Sequence, residues 1–423
     1  MRIHSSDFMV TRNGFRLASV CFVLALILRL GILFGTGTYK KHDRFEMASV
    51  GVTFAHTGQI ANAYMAMPTG PTAHVAPLYP MMIGVVYWVF GEGETGEIVK
   101  QIVACCVSSA RAALLVLLVL AFELSTGQAW AAGITSAMYI GAFETELKGD
   151  WEGPMAANVL IVLALWGYRL AWQRIPNPLA ALCYGLAWGV ALLISPSLLP
   201  VAIGLAAVAG LALLKKSPRA VATALVCFAA GTALALSPWI IRNYIALGGF
   251  VWGRDNFGLE LSLSNGPGAH WSNPLNSPRI FSMHPSRYRP AAEKLLAQGE
   301  LAFNADRKRE AEAWIESHPR EFATLTLQRF VHFWFPSGRN RAHQLALAGF
   351  TLLAFAGLFI LWRKDSPAFP VTTIIWISYP LAYYVIQWSS RYRQPIDWTL
   401  VLCASVAVYE GYRSIPRSAD DRR

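Results

Sequence analysis

Long apolar runs separated by short polar clusters dominate this 423-residue chain. A helix needs about 20 apolar residues to cross a hydrocarbon core about 30 Å thick, and several runs reach that length. The pattern therefore predicts an all-α polytopic membrane protein, a single membrane domain over residues 1–423. We predict about ten transmembrane helices, at residues 17–36, 99–122, 129–147, 154–172, 178–197, 198–214, 220–241, 344–362, 370–388 and 396–412.

Two long polar stretches interrupt these spans, and we predict that both form loops on the outer side, at residues 37–97 and 242–343. Each contains a short apolar segment, residues 78–90 in the first loop and 322–335 in the second. Both segments are too short to cross comfortably, so we expect juxtamembrane helices that lie at the membrane surface. The second contains Arg329, whose charge would cost about 2.5–3.5 kcal/mol at mid-membrane, which favours a surface position.

Composition and charge agree with a membrane protein. Hydrophobic residues make up 55% of the chain and charged residues 14%, against about 25% charged in a typical soluble domain. The net charge of +11 does not indicate nucleic acid, because the basic residues flank apolar runs instead of forming one block with interleaved aromatics. The positive-inside rule then places both termini in the cytoplasm. The six cysteines lie in apolar segments without metal or disulfide spacing.

An acidic pair follows the first predicted span. Asp43 and Glu46 are three residues apart, so on a helix they share a face. A partly desolvated carboxylate at the bilayer edge would have the raised basicity that a general base needs. The alternative is a solvated helix start whose charges balance locally.

The segment Gly70–Pro80 leads into the first short helix and contains His74 and Tyr79. Its prolines fix an extended approach to that helix. His74 is a candidate for binding substrate or metal, although a lone histidine is more often structural. No second and third ligand appears at convincing spacing, so we predict no obligatory cofactor, and a divalent metal is not indicated.

Cations also collect on the predicted outer side. Arg242 ends a span and suits a phosphate or pyrophosphate, because guanidinium matches phosphate bidentately; the alternative is that it only snorkels to the interface. Arg391 and Arg393 begin the last span on the side where the positive-inside rule disfavours them, which an anionic ligand would explain. Arg29 is a further cation in this leaflet, unless it pairs with a carboxylate.

Five motifs in order resemble the bacterial polytopic glycosyltransferases of the GT-C class, related to protein O-mannosyltransferases and to the lipid A aminoarabinose transferase. Each motif alone is weak, and their order carries the resemblance through nearly the whole chain. They are DRFEMA, GPTAHVAPLYP, PWIIRNY with NFGLELSLSN, WIESHPREFATLTLQRF, and RYRQP.

The resemblance implies a hexosyl- or pentosyltransferase in the bacterial cytoplasmic membrane with its active site on the outer face. Such an enzyme moves a sugar from a polyprenyl-phosphate donor to a lipid, glycan or protein acceptor, here by displacement with inversion. It implies a catalytic role for Asp43 or Glu46, and of the two we favour Glu46, which stands before Met47 where relatives carry Glu before Met. Glu152 resembles the acidic residue that opens a later span. The other residues expected to bind substrate are Arg29, His74, Tyr79, Arg242, Asn243, Arg391, Tyr392 and Arg393.

Two other functions fit parts of the pattern. A transporter or flippase for a lipid-linked sugar would share the phosphate-binding arginines but would need no base. It should also show paired repeats or broken helices, which the sequence lacks. An inactive scaffold of the same fold is the third interpretation, because His42-Asp43 stands where relatives often carry an Asp-Glu pair.

Overall fold

The computed structural model describes residues 12–42, 44–139, 147–171, 177–214, 217–338 and 340–414. Across these ranges the regular structure is helical, and extended segments pair only at two isolated bridges. The α-helices are α1 Arg12–Gly35, α2 Glu46–Thr57, α3 Leu78–Phe90, α4 Glu94–Ala121, α5 Thr126–Met138, α6 Glu152–Ala171, α7 Pro178–Ile194, α8 Leu199–Leu214, α9 Pro218–Leu247, α10 Phe257–Ser264, α11 Ser277–Met283, α12 Arg289–Gln298, α13 Glu300–Ser317, α14 Pro319–Trp334, α15 Arg341–Arg363, α16 Ala368–Ser378 and α17 Asp397–Ser414.

The predicted all-α membrane class is confirmed. Among the described residues, five helices are long and apolar enough to cross a membrane, namely α1, α4, α6, α9 and α15. The predicted count of ten is not confirmed, since several other predicted spans form shorter or more polar helices. The span predicted at 370–388, for example, leaves the α-helical conformation after Ser378 and continues as a 3₁₀ turn over Tyr379–Tyr384.

Small residues bring the long helices together. A Cβ added at Gly185 of α7 would lie 2.0 Å from the carbonyl oxygen of Phe228 in α9. One added at Gly231 of α9 would lie 2.2 Å from the carbonyl oxygen of Leu182 in α7. Glycine thus lets the two backbones touch, which is the usual way for apolar helices to gain contact without a hydrophobic driving force.

The two polar stretches pack against each other. Glu300 accepts hydrogen bonds from the Thr72 hydroxyl at 2.5 Å and from the Ala73 amide at 2.7 Å. Arg242 donates to the Thr72 carbonyl at 2.8 Å, and the Asp255 amide donates to the Ala73 carbonyl at 2.8 Å. The segment that carries His74 is therefore fixed by groups from the second stretch and from the end of α9.

Both short apolar segments are helical as predicted, in α3 and α14. We predicted that Arg329 would lie at the membrane surface as an exposed charge. Its side chain is instead fully buried within the protein. Its guanidinium donates to the carbonyl oxygens of Ser264, at 2.5 Å, and Val385, at 2.9 Å, and to the side-chain oxygen of Asn265 at 3.1 Å. Arg329 thus ties α14 to the end of α10.

Candidate functional site

A cavity of about 490 Å³ lies where five parts of the chain meet. These parts are Met47 of α2, the start of α6, the turn between α7 and α8, residues 252–260, and residues 379–395. Carboxylates, cations and aromatic rings line it together, which is typical of a site for a polar ligand with an apolar part. Its charged side chains are Asp150, Glu152, Arg254, Glu260 and Arg391.

Arg391 is the cation of this cavity without a direct acidic partner among the described residues. Its guanidinium lies 5.5 Å from the ring centroid of Tyr392, which itself stacks on Tyr383 at 4.7 Å. Burial opposes its charge, but Tyr392 and the carboxylates of Asp150, Glu152 and Glu260 outweigh burial and raise the pKa of Arg391. The guanidinium is therefore fully charged and free to bind an anion.

The other arginine of the cavity is neutralised. Arg254 forms an ion pair with Glu152, and both side chains are largely buried. Asp150 accepts a hydrogen bond from the Tyr79 hydroxyl at 3.3 Å, and this hydroxyl in turn accepts one from the Trp151 amide at 3.0 Å. Tyr79 thus positions Asp150 and also lines a small adjoining pocket of about 70 Å³.

Glu46, His74 and His284 form a second cluster, with one potential ligand atom from each lying within 4.8 Å of the others. The Ser286 hydroxyl donates to Glu46 at 2.7 Å, and Nε2 of His284 lies 4.0 Å from the same carboxylate oxygen. Burial alone would raise the pKa of Glu46, but His284, His74 and the Ser286 hydroxyl outweigh burial and lower it to about 2. This shift is opposite to the raised basicity expected for a partly desolvated carboxylate.

The same cluster is the group of described residues that could hold a metal ion. Nδ1 of His284 accepts a hydrogen bond from the Ser286 amide at 3.1 Å. A neutral ring must then carry its proton on Nε2, the nitrogen that faces Glu46. Binding of a metal through Nε2 would require this proton to move to Nδ1, with loss of the hydrogen bond from the Ser286 amide.

Four predicted binding residues hold the structure together and do not line the cavity. Arg29 donates to the Ala137 carbonyl at 3.1 Å. Arg242 donates to carbonyls of the first polar stretch, and Asn243 to the Val251 carbonyl at 3.0 Å. Arg393 is buried and donates to Asp397 at 2.7 Å and to the Tyr139 hydroxyl at 2.9 Å.

The remaining predicted residues divide into three groups. Glu152, Arg391 and Tyr392 line the main cavity, Tyr79 lines the adjoining pocket, and Glu46 and His74 meet in the second cluster. Asp43 lies outside the described residues. Met47, one residue after Glu46, lines both the cavity and the adjoining pocket, so the acidic motif reaches the site.

Sequence reasoning did not single out Arg254, Glu260 or His284. Glu260 stands inside the quoted motif NFGLELSLSN, where a carboxylate between apolar residues could have been recognised. Arg254 and His284 carry no such local pattern. They reach the site because the second polar stretch folds over the first.

Comparison with known proteins supports the fold. No protein-family model and no curated protein sequence matches this chain. Among solved structures, the Archaeoglobus fulgidus oligosaccharyltransferase tethered to an acceptor peptide has a TM-score of 0.55 and 12% identity, covering 99% of this chain and 52% of that one. AglB from the same organism, in complex with an inhibitory peptide and a dolichol-phosphate, has a TM-score of 0.54 and 12% identity, covering 95% and 50%.

ArnT from Cupriavidus metallidurans bound to undecaprenyl phosphate matches less well, with a TM-score of 0.32 and 14% identity, covering 92% of this chain and 78% of that one. This chain shares the fold of these oligosaccharyltransferases, in agreement with the fold that the motifs lead us to expect. This chain spans about half the length of those oligosaccharyltransferases. At such low identity the likeness shows the fold alone, and the activity has to be argued from the site.

Proposed function

We propose that this protein is a membrane glycosyltransferase that moves a sugar from a polyprenyl-phosphate donor to an acceptor. The observation that supports this most directly is Arg391, a charged guanidinium without a direct acidic partner among the described residues, in a cavity that also offers carboxylates and aromatic rings. Guanidinium binds phosphate bidentately. The cavity volume of about 490 Å³ lies within the usual range for small-molecule sites.

The reaction that this arrangement suits is a direct displacement at the anomeric carbon. The acceptor oxygen bonds to that carbon as the bond to the phosphate oxygen breaks, which inverts the configuration. Negative charge develops on the departing polyprenyl phosphate, and Arg391 lies ready to stabilise it. A carboxylate takes the proton that the acceptor loses.

Of the two carboxylates predicted for this proton transfer, Asp43 is the better candidate. Glu46 is already hydrogen-bonded to Ser286, and its pKa of about 2 makes it a weak base. We also propose that the reaction needs no obligatory metal, since the hydrogen bond from the Ser286 amide to Nδ1 of His284 favours a proton on Nε2, the nitrogen that faces Glu46.

The fold neighbours are compatible with this donor class, since AglB was solved with a dolichol-phosphate and the related structure carries an acceptor peptide. We further propose that the site faces the outer side of the bacterial cytoplasmic membrane, with both termini inside. Single cysteines placed at positions 43 and 392 should then react with an impermeant thiol reagent added from outside. Labelling of the two positions from opposite sides would contradict the proposal.

The activity is tested with purified protein in lipid nanodiscs and a panel of radiolabelled undecaprenyl-phosphate hexoses and pentoses. We expect release of undecaprenyl phosphate, which Asp43→Asn should reduce about 100- to 10,000-fold by removing the base. Arg391→Gln should reduce it about 100- to 1,000-fold, as expected when a stabilising donor is lost. Glu46→Gln should have a smaller effect than Asp43→Asn.

Arg289→Gln is the matched control, because Arg289 is exposed on the second polar stretch and pairs only with Glu293 among the described residues. It should leave turnover unchanged. If Asp43→Asn and Arg391→Gln both kept full turnover, the proposed site would be wrong. Uptake of the labelled lipid without release of the phosphate would indicate a transporter instead.

A further inference from the structure

Glu260 is the one carboxylate of the cavity whose hydrogen-bonding capacity is unused by the described residues. Glu152 is neutralised by Arg254, and Asp150 accepts from the Tyr79 hydroxyl. Glu260, in contrast, forms no side-chain hydrogen bond or ion pair with any described residue, and one of its carboxylate oxygens is buried without a partner. A buried carboxylate oxygen without a donor is costly, so a ligand that supplies donors would bind there favourably.

The helix that carries Glu260 packs closely against the second polar stretch, which fixes the backbone position from which its side chain extends. A Cβ added at Gly258 would lie only 2.0 Å from the carbonyl oxygen of Asn304, which shows how closely α10 approaches α13. The Leu259 amide also donates to the Asn304 side chain at 3.3 Å. At this end, α10 is fixed against the second polar stretch.

The other end of α10 is fixed by two arginines. Arg279 donates to the carbonyl oxygens of Ser262 at 2.7 Å and Leu263 at 3.1 Å, and Arg329 donates to that of Ser264 at 2.5 Å. These contacts satisfy the last carbonyls of the helix, which have no partner inside it. The backbone under Glu260 is therefore already in place before a ligand binds.

The neighbours of Glu260 suggest which part of a ligand it meets. Arg391 and Tyr392 line the same cavity, and the charge of Glu260 acts on both of them. A phosphate would bind at the cation and be repelled by the carboxylate. The group attached to that phosphate would then lie beside Glu260 and the aromatic rings of the cavity wall.

We propose that Glu260 determines donor specificity by accepting hydrogen bonds from hydroxyl groups of the sugar that is attached to the polyprenyl phosphate. A carboxylate has several acceptor sites and no donor when ionised, and adjacent sugar hydroxyls are matching donors. This inference rests on the proposed donor class. It adds a role for Glu260 in recognising the sugar, which the transfer reaction proposed above does not need. It predicts that Glu260 contributes to binding the sugar and not to binding the lipid phosphate.

The experiment compares two ligands on the same protein. Purified protein in nanodiscs is loaded with radiolabelled undecaprenyl phosphate, which is displaced either by unlabelled undecaprenyl phosphate or by each undecaprenyl-phosphate hexose or pentose of the panel. The ratio of the Kd for undecaprenyl phosphate to the Kd for the sugar-bearing lipid measures how much the sugar contributes to affinity. A general structural defect would weaken both ligands and leave this ratio unchanged.

We expect wild-type protein to prefer at least one sugar-bearing lipid over undecaprenyl phosphate. Glu260→Gln should weaken binding of that lipid about 10- to 100-fold, which is the loss of a hydrogen bond to a charged group. It should leave the Kd for undecaprenyl phosphate unchanged or lower it, because the variant also removes a charge that repels phosphate. Glu260→Asp should retain part of the preference, and the exposed control Glu293→Gln should retain all of it.

The inference is overturned if wild-type protein binds both kinds of lipid equally, if Glu260→Gln keeps the full preference, or if the variant weakens both ligands to the same extent. In each of these cases binding of undecaprenyl phosphate by the wild type still supports the proposed donor class. A wild type that binds neither lipid would instead refute the donor class itself, and the role of Glu260 with it.

Discussion

The buried carboxyl of Glu300 should make the stability of this protein fall as pH rises toward neutrality. Glu300 is only 5% exposed and links α13 to the segment before His74 through Thr72 and Ala73. Burial, reinforced by the charge of Asp255 and opposed by these hydrogen bonds, raises the pKa of Glu300 from 4.5 to about 7. The folded protein therefore holds this proton more tightly than the unfolded chain does.

The sign follows from proton linkage. Below about pH 4.5 both states are protonated at this residue and it adds no pH dependence. Between about pH 4.5 and 7 the unfolded chain loses the proton while the folded state keeps it, so the free energy of unfolding decreases with pH. A shift from 4.5 to about 7 corresponds to about 3 kcal/mol, at 1.36 kcal/mol for each pKa unit. Above pH 7 the loss is complete and stays constant.

Glu300→Gln removes this titration, at the cost of one hydrogen-bond acceptor for Thr72 or Ala73. That cost, about 1 kcal/mol, is the same at every pH. Thermal unfolding in detergent, followed by tryptophan fluorescence from pH 5 to 8, should show the wild type losing stability relative to the variant. For 423 residues, about 3 kcal/mol corresponds to a Tm difference of roughly 3–4 °C if unfolding is cooperative.

Glu316→Gln is the control, since Glu316 is exposed near the end of the same helix. Its profile should follow that of the wild type at every pH. Asp255, whose pKa burial raises to about 6, adds a slope in the same direction at lower pH, so the window from pH 6 to 7 isolates Glu300. Parallel curves for wild type and Glu300→Gln in that window would refute the reasoning.

Three further predictions test the packing and the site. A Cβ at Gly357 would lie 1.7 Å from the Cys403 carbonyl oxygen, so Gly357→Ala should destabilise by about 1–3 kcal/mol in thermal unfolding. Gly349→Ala on the same helix meets nothing within 4 Å and should be neutral or slightly stabilising. Lys100→Met removes one of the two cations paired with the buried carboxylate of Glu97, at 2.7 Å, and leaves Arg44 at 2.9 Å, so it should cost about 1.5–3 kcal/mol in the same assay. Finally, EDTA should leave sugar transfer unchanged; activity lost with EDTA and restored by a divalent metal would contradict the proposed metal-independent reaction.

The parts of the fold that depend on one continuous stretch of chain were predictable. The apolar segment at 78–90 forms a helix over the same residues, since Gly91 follows it with a positive φ of 77° that ends the helix. The number of spans was not equally predictable. Hydropathy alone does not show that a run such as 370–388 turns into a 3₁₀ segment midway, because that depends on what the run packs against.

The site was predictable only in part, because sequence shows which charges exist and not which of them are already paired. Arg391 and Arg393 are two residues apart in one motif and looked equivalent. The turn at 390–393 directs Arg393 toward Asp397, one helical turn further on, and leaves Arg391 in the cavity. Arg242 appeared suited to phosphate, yet its guanidinium donates to backbone carbonyls about 170 positions earlier in the chain.

These pairings separate the charged residues that hold the fold together from those that line the cavity. Arginines that bind carbonyls or acids, such as Arg242, Arg329 and Arg393, fix the second polar stretch onto the first and onto the helices. Where that packing leaves a charge without a described partner, as at Arg391 and Glu260, the charge lines the cavity. A ligand that carries both a phosphate and hydroxyl groups would supply a partner to each of these charges at once.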